Sequence, residues 1–301
     1  MLHQNCMKIT RSILPLHRNV RTLEESKLKR SYSDAPAFKG RVGIITGGAS
    51  GVGLSIVKAL VPHEPKALII VDNDKAMGEE LAGALKKQLG PCCDIDFEHV
   101  DVVKKDQMQK VFECAKKKYC YIDLVVNNAN MKSESEWERT LCTNTFGMVN
   151  VTHLAFEYMG KHKCLPGGTV INVLGVSAVD PDFVLPVTSG TKHFGLTFTR
   201  LIGHEWFFSR TGIRVMGVLP GPTETKKNLK NLLDTRGLGD VNELVKAASQ
   251  SKPQKPDEVA MCVMKMIDIA ESSDIYVVDG GKCGKIYDFP DRRGFKRCTF
   301  E

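Results

Sequence analysis

A glycine-rich segment, TGGASGVG at 46–53, is the clearest chemical signal in the sequence. It follows a short apolar run and opens a helix-like stretch, which is the context that a phosphate-binding turn requires. Glycine lets the backbone turn sharply and approach a pyrophosphate, and the N–H groups at the start of the helix then face the phosphates. The residues predicted to hold a dinucleotide here are Gly47, Ser50, Gly51, Val52 and Gly53.

An acidic residue, Asp72, ends the next apolar run, 19 positions after Gly53. A carboxylate at this distance from the glycines binds the adenine ribose hydroxyls in dinucleotide-binding units. It also repels the 2′-phosphate of NADP(H), and the glycine-rich segment has no Arg or Lys that would bind that phosphate. The sequence therefore favours NAD(H) as the cofactor.

The elements that must position these residues are short apolar runs alternating with longer helix-like stretches. The runs are apolar throughout, as parallel strands covered on both faces are. The predicted strands are 42–46, 67–71, 96–100, 124–127, 169–174, 213–219 and 275–278, and the predicted helices lie near 52–61, 75–89, 105–119, 136–161, 190–209 and 257–271. This alternation predicts an α/β fold with a Rossmann-type, doubly wound, mostly seven-stranded parallel sheet and helices on both faces.

One domain, from about residue 38 to 288, contains all of these predicted elements. No internal repeat or linker interrupts it. The segment 223–255 is polar, charged and punctuated by glycine and proline, which predicts a mobile insertion or lid. The remaining parts are an N-terminal tail, 1–37, and a C-terminal tail, 289–301.

Several motifs lie between about 38 and 285, among them VLPVTSGTKHFGLTFTR at 184–200 and SDIYVVDGGK at 273–282. Together they resemble those of the short-chain dehydrogenases/reductases, and these two are most similar to the insect alcohol dehydrogenase and 15-hydroxyprostaglandin dehydrogenase branches. TGGASGVG matches the TGxxxGxG of that family, and PGPTET at 220–225 resembles its PGxxxT segment. NNAN at 127–130 resembles NNAG, with Asn130 in the place of a glycine, a change that asparagine allows because it tolerates positive φ. The further cofactor-binding residues that the resemblance implies are Asp101, Val102, Asn128, Ala129, Lys192, Pro220, Gly221 and Thr225.

The catalytic residues of the family are only partly present. The family uses a Ser that holds the substrate oxygen, a Tyr that exchanges a proton with it, and an Asn. A Lys four positions after the Tyr lowers the Tyr pKa and binds the nicotinamide ribose. The resemblance implies that Asn144 is the active-site Asn of the family and that Lys192 is its Lys. Lys192 sets the register, which puts Thr188 at the Tyr position and Gly175 at the Ser position.

The replacement of tyrosine by threonine changes the available proton chemistry. A phenol has a pKa of about 10, which a nearby cation lowers, whereas an aliphatic hydroxyl is a far poorer acid. Losing a positioned general acid or base costs about 10²–10⁴-fold in rate. Ser177 and Ser189 are alternative hydroxyls, although small turn residues are the more common interpretation at such positions.

Two functions therefore stay open. The first is an NAD(H)-dependent oxidoreductase of impaired activity that acts on a small-molecule alcohol or carbonyl. The apolar residues of the segment 176–186 favour an apolar or lipid-like substrate, although Asp180 and Asp182 interrupt it. The second is a non-catalytic NAD(H)-binding protein that serves as a sensor, a storage protein or a dimer partner. The resemblance also implies a homodimer through the helices near 136–161 and 190–209.

The net charge of +7 is concentrated at the N terminus, because residues 1–32 alone carry +5. The rest of the chain is nearly balanced and has no basic stripe with interleaved aromatic residues, so no nucleic-acid partner is predicted. The tail mixes Arg, His and Ser with apolar residues, which is typical of a mitochondrial transit peptide. Pro15 and the acidic pair Glu24 and Glu25 favour the alternative, an unstructured basic tail. The predicted location is accordingly the cytoplasm or the mitochondrial matrix.

The sequence predicts no membrane span, no disulfide and no metal site. No apolar run approaches the ~18 residues of a membrane span, so no membrane-spanning segment is predicted. The ten cysteines include no CxxC pair, which favours reduced thiols. The His204-Glu205 pair has no further ligand at metal-binding spacing, so no metal site is predicted.

Overall fold

The structure is a computed structural model, and it describes residues 20–21, 38–224, 253–286 and 289. Thr225, most of the predicted insertion 223–255 and nearly all of both tails lie outside the described residues. Within the described ranges, no helix combines the length and the apolar character that crossing a membrane requires.

Nine strands form a single sheet in the described part of the chain. In chain order they are β1 (Val20–Arg21), β2 (Val42–Thr46), β3 (Ala67–Asp72), β4 (Asp94–His99), β5 (Leu124–Asn127), β6 (Gly168–Val173), β7 (Ile213–Pro220), β8 (Ile275–Asp279) and β9 (Lys282–Ile286). Their spatial order is β1-β9-β8-β7-β6-β5-β2-β3-β4.

The seven strands from β2 to β8 are parallel, which confirms the predicted doubly wound α/β sheet. The chain moves outward from β2 in one direction and then, from β5, in the other. In such sheets ligands bind at the carboxyl ends of the strands, beside the reversal of strand order. Two antiparallel strands that the sequence did not predict, β9 and β1, extend the edge beyond β8.

The helices lie close to their predicted positions. In chain order they are α1 (Gly51–Leu60), α2 (Lys75–Leu89), α3 (Lys105–Tyr119), α4 (Trp137–Leu141), α5 (Met148–Met159), α6 (Pro186–Ile202), α7 (Glu205–Thr211) and α8 (Pro256–Ile269). Two stretches that were predicted as single helices are not continuous. The stretch 136–161 contains a π-helical turn, Cys142–Gly147, between α4 and α5. The stretch 190–209 is divided into α6 and α7 at Gly203, and α6 begins four residues earlier, at Pro186.

Helices pack against both faces of the sheet and form separate apolar clusters there. Because successive residues of a strand face opposite sides, Ile70 of β3 packs in the cluster of α1, α2 and α8, and Ile69 packs in the cluster of α3 and α5. Fully burying one such side chain contributes about 1.5–3 kcal/mol. This two-sided core fixes the carboxyl ends of β2, β3 and β5, from which the candidate site is built.

The prediction that the cysteines are reduced thiols was wrong for one pair. Cys262 of α8 and Cys283 of β9 form a disulfide across 21 positions of sequence. The signal was missed because the pair depends on β9, a strand that the apolar pattern did not reveal. The described cysteines that are free are Cys92, Cys93, Cys114, Cys120, Cys142 and Cys164.

Candidate functional site

The glycine-rich loop leaves β2 at its carboxyl end, beside the reversal of strand order. Gly47 and Gly51 have positive φ angles of 62° and 50°, which glycine adopts readily. A Cβ atom at Gly53 would collide with the carbonyl oxygen of Gly47. The glycines therefore allow the first turn of α1, preceded by Ser50 in an extended conformation, to approach the loop closely.

Thr46 and Asn128 join this loop to the neighbouring strand β5. The Thr46 hydroxyl donates to the Val126 carbonyl at 3.2 Å and accepts from the backbone N–H groups of Asn128 and Ala129, both at 3.1 Å. The Asn128 carboxamide donates to the carbonyl oxygens of Thr46, at 3.2 Å, and Gly47, at 2.9 Å. The structure thus brings the predicted residues Asn128 and Ala129 against the base of the loop.

Asp72 ends β3 and faces the same loop. One carboxylate oxygen accepts from the backbone N–H of Ala49 at 3.0 Å, and the other accepts from the N–H of Asp74 at 3.1 Å. These two bonds fix a negative charge directly beside the glycines. A phosphate brought to this position would be repelled, whereas a hydroxyl could donate to the carboxylate.

The predicted residues after β4 and β7 lie at the same edge of the sheet. Asp101 accepts from the N–H of Val103 at 3.1 Å, and the carbonyl of the buried Val102 accepts from the Asn150 carboxamide at 3.1 Å. At the end of β7, the N–H of Gly221 donates to the Val278 carbonyl at 2.7 Å. A Cβ at Gly221 would collide with the Asp279 carboxylate, and Pro220 lies near Gly175.

Asn144 lies in the π-helical turn and connects three parts of the site. Its carboxamide oxygen accepts from the N–H of Met131 at 2.8 Å. Its nitrogen donates to the Met131 carbonyl at 2.8 Å and to the Thr191 hydroxyl of α6 at 3.0 Å. Asn144, Thr191, Lys192, Ala129 and Val102 are among the residues that line a cavity of about 10 Å³, enough for about one water molecule.

Lys192 brings a nearly buried cation to this cavity, with 4% of the residue exposed. Its Nζ donates to the carboxamide oxygen of Asn130 at 2.6 Å. Burial, and then the charge of Lys132, lowers the pKa of Lys192 to about 7. The backbone at Asn130 does not have positive φ, so the expectation that asparagine serves there by tolerating that conformation was wrong.

Gly175, which follows β6, lies beside Lys192 as the sequence register predicted. A Cβ added to Gly175 would lie 4.0 Å from the Lys192 Cγ and 3.6 Å from the Ser177 hydroxyl oxygen, so the space would admit a serine. Its φ of 153°, however, is unfavourable for any residue with a Cβ. Ser177 therefore supplies the hydroxyl nearest to this position in the described residues, with its oxygen 3.6 Å from that Cβ.

Thr188 lies in the first turn of α6, and its hydroxyl donates a hydrogen bond to a buried carboxylate. Glu134, with 4% exposed, accepts from the N–H of Val187 at 3.0 Å, from the N–H of Thr188 at 3.0 Å and from the Thr188 hydroxyl at 2.9 Å. The first N–H groups of a helix have no partner within the helix, and a negative charge there is favourable. Glu134 is not among the residues predicted from the sequence, because a contact over 54 positions leaves no local pattern.

The profile described as short chain dehydrogenase matches residues 41–235, which is more than half of the chain. The chain belongs to the short chain dehydrogenase family. This confirms the resemblance drawn from the motifs. Short chain dehydrogenases bind nicotinamide cofactors, in agreement with the glycine-rich loop at the carboxyl end of β2.

Curated relatives of this short chain dehydrogenase include members of both branches that its motifs resemble. Alcohol dehydrogenase 1 of Ceratitis cosyra is 25% identical over 244 residues, which is 81% of this chain and 93% of the relative. The 15-hydroxyprostaglandin dehydrogenase (NAD(+)) of Rattus norvegicus is 30% identical over 186 residues, covering 62% of this chain and 69% of the relative.

Solved structures agree with the fold. A 3-ketoacyl-(acyl-carrier-protein) reductase from Brucella melitensis, complexed with NADH, superposes with a TM-score of 0.66 at 23% identity, over 81% of this chain and 98% of that one. An L-sorbose reductase from Gluconobacter frateurii, complexed with NADPH, gives 0.68 at 23% identity, over 82% and 98%. At this identity the likeness concerns the fold alone.

The other candidate hydroxyl, Ser189, has a structural role in this short chain dehydrogenase. Its oxygen accepts from the N–H of Asp182 at 3.1 Å and its hydroxyl donates to the Asp182 carbonyl at 3.2 Å. Ser189 therefore holds the loop before α6 through both of these hydrogen bonds. Across the described ranges, no three His, Cys, Asp or Glu side chains gather as a metal site requires.

Proposed function

We propose that this short chain dehydrogenase binds NAD(H) and acts with impaired activity on the alcohol or carbonyl group of a small molecule. The observation that carries the proposal is the position of Asp72, whose carboxylate is hydrogen-bonded to the glycine-rich loop through Ala49. A charge there favours the ribose hydroxyls of NAD(H) over the 2′-phosphate of NADP(H). One relative, the 15-hydroxyprostaglandin dehydrogenase, carries NAD(+) in its name.

The residues at the carboxyl edge of the sheet fit a dinucleotide. The loop offers bare backbone at its glycines, followed by the N-terminal N–H groups of α1, which suits a pyrophosphate. The nicotinamide would supply the hydride chemistry. We assign cofactor binding to Lys192 at the nicotinamide ribose, to Asp101 at the adenine amino group, and to further residues of the segments after β4, β5 and β7, namely Val102, Asn128, Ala129, Pro220, Gly221 and Thr225.

The weak point of the site is proton exchange with the substrate oxygen. Thr188 is 2% exposed and donates its hydroxyl proton to Glu134, so it has no second proton to offer to a carbonyl oxygen. Gly175 supplies no hydroxyl either. Asn144 and Lys192 remain, which supports cofactor binding more strongly than rapid turnover.

The hydrogen bond from the Thr188 hydroxyl to Glu134 also favours a second function. In this alternative the chain is a non-catalytic NAD(H)-binding protein that acts as a sensor, a storage protein or a dimer partner. The two functions differ in turnover and agree in cofactor binding. Titration with NADH and with NADPH, followed by nicotinamide fluorescence, tests the shared part. Tighter binding of NADPH than of NADH would contradict the assignment of NAD(H).

Turnover is tested with NAD+ and a panel of secondary alcohols, including long apolar ones, on the native chain and on the Gly175→Ser/Thr188→Tyr variant. Slow native turnover that rises by at least about tenfold in the variant is the expected result for an impaired enzyme. Activity in the variant alone would favour the non-catalytic function. Rapid native turnover would show that Thr188 and Gly175 do not impair catalysis.

The basic N-terminal tail belongs to a separate proposal, mitochondrial targeting, with the cytoplasm as the alternative. Its support is the +5 charge of residues 1–32. Imaging of fluorescent fusions of the full chain and of the chain lacking residues 1–32 distinguishes the two locations. A full-length fusion spread through the cytoplasm would rule out targeting by this tail.

A further inference from the structure

The segment that leads from β5 to α4 contacts the two positions of α6 at which the family places its tyrosine and lysine. Asn130 accepts from Lys192, with 2.6 Å between Oδ1 and Nζ, and Glu134 accepts from Thr188, with 2.9 Å between Oε1 and Oγ1. The two acceptors are four positions apart, and so are the two donors. Both functional side chains of α6 are therefore hydrogen-bonded within the protein.

Asn130 supplies something that glycine, the family residue at this position, lacks. A nearly buried ammonium requires acceptors in place of the water that it has lost. Glycine has no side-chain acceptor, whereas the carboxamide of Asn130 offers one at 2.6 Å. The backbone at Asn130 does not have positive φ, so its conformation does not demand glycine. The asparagine side chain is thus the feature that distinguishes this position.

A ribose that approached Lys192 would meet this internal bond. Lys192 lines a cavity of about 10 Å³, room for about one water molecule, so little free space adjoins this lysine within the protein. The Lys192 ammonium already has a charge-assisted bond to Asn130, and such bonds are among the stronger ones in proteins. An ammonium has three N–H donors, and the bond to Asn130 uses one of them and fixes the direction of the other two. A ribose hydroxyl that accepts from Lys192 therefore shares this ammonium with Asn130 in a confined space.

We propose that Asn130 is a positioning residue that competes with the nicotinamide ribose for Lys192 and thereby weakens NAD(H) binding. This inference rests on the proposed function, in which Lys192 binds that ribose. It predicts that glycine at position 130 tightens the binding of ligands that carry the second ribose. It also predicts that ligands without that ribose are unaffected.

The test compares three ligands on the full chain, by calorimetry, for the native protein and the Asn130→Gly variant. NADH and ADP-ribose both carry the second ribose, whereas AMP ends at the first phosphate. The dissociation constants of NADH and ADP-ribose should fall about tenfold in the variant, and that of AMP should stay unchanged. Ser135→Gly is the matched control, because it adds a glycine to the same segment at an exposed position and should change none of the three.

A double-mutant cycle with Lys192→Met tests whether Asn130 acts through Lys192. In that background Asn130→Gly should no longer tighten the binding of ADP-ribose. Asn130→Asp, which gives Lys192 a stronger acceptor, should weaken it. Equal gains for AMP and ADP-ribose, an unchanged ADP-ribose affinity in Asn130→Gly, or the same gain in the Lys192→Met background would each overturn the inference. If none of the three ligands binds either protein, the proposed cofactor fails as well.

Discussion

At the scale of single residues, the central feature of the site is the nearly buried ammonium group of Lys192. Lys192 is 4% exposed, and its hydrogen bond to Asn130 replaces part of the lost hydration. Burial first, and the positive charge of Lys132 second, lowers the pKa of Lys192 to about 7. Lys132 and Glu134 are charged residues on the adjacent segment, and Glu134 is engaged by the first turn of α6. Lys192 is therefore a titrating group near neutral pH.

This titration should appear in the pH dependence of stability. In the unfolded chain a lysine keeps a pKa of about 10.4. Between the folded pKa of about 7 and that value, the unfolded state binds more protons than the folded state. The free energy of unfolding should therefore rise with pH across this window, by up to about 1.4 kcal/mol per pH unit from Lys192.

Urea unfolding of the native chain and of Lys192→Met, at intervals from pH 6.5 to pH 9.5 or so, measures this contribution. The difference between the two proteins should grow in favour of the native chain as the pH rises. A difference that stays constant across the range would mean that Lys192 keeps its proton in the folded protein. Lys265→Met, on α8 at an exposed position, is the matched control and should give no such trend.

At the scale of elements, the start of α6 depends on a carboxylate from another part of the chain. The residue before the helix, Leu185, offers no side-chain cap. Glu134 instead accepts from the N–H groups of Val187 and Thr188 and from the Thr188 hydroxyl. Pro186 opens the helix, at a position where its missing N–H costs nothing. The helix therefore begins four residues earlier than its sequence pattern indicated.

Removing this carboxylate should destabilise the fold. Glu134→Ala leaves one buried N–H group, one half-buried N–H group and one hydroxyl without this acceptor, which should lower the free energy of unfolding by about 2–4 kcal/mol. Glu134→Gln keeps one acceptor oxygen and should lose about half as much. Thermal and urea unfolding measure both.

Thr188→Val distinguishes the stability that comes from the Thr188 hydroxyl bond to Glu134 from the stability that comes from the two N–H bonds to the same carboxylate. It removes the hydroxyl alone, so its expected cost is about 1 kcal/mol. If Glu134→Ala were no more costly than Thr188→Val, the carboxylate would not be supporting the helix N terminus.

The same scale shows which elements the sequence could predict. The runs 42–46 and 124–127 form β2 and β5 without a change of bounds, because parallel strands covered on both faces are apolar at nearly every position. The Lys192 register likewise placed Gly175 beside that lysine. The start of α6 and the contacts of Glu134 and Asn130 were missed, because each depends on a partner distant in sequence. The strand β9 was missed because its residues lack the continuous apolar pattern of the parallel strands.

At the scale of the whole molecule, the α4–α5 region and α6 present apolar side chains to solvent. In the described residues Leu141 and Phe146, before α5, are 38% and 51% exposed, and Phe194 and Leu201 of α6 are 43% and 64% exposed. Exposed large apolar side chains on neighbouring elements are a feature that protein interfaces use. They suit the homodimer that the family resemblance implies, in which these helices would pack against their copies about a two-fold axis.

The dimer should therefore depend on this face and not on apolar exposure in general. Sedimentation equilibrium of the native chain should give twice the chain mass. Phe194→Lys and Leu201→Lys place like charges opposite each other across a two-fold interface, so the double variant should sediment as a monomer. Met261→Lys, at a residue of α8 that is 58% exposed, is the matched control and should leave the dimer intact. A native chain that sediments as a monomer would refute the dimer, and a dimer that survives both lysines would place the contact on another face.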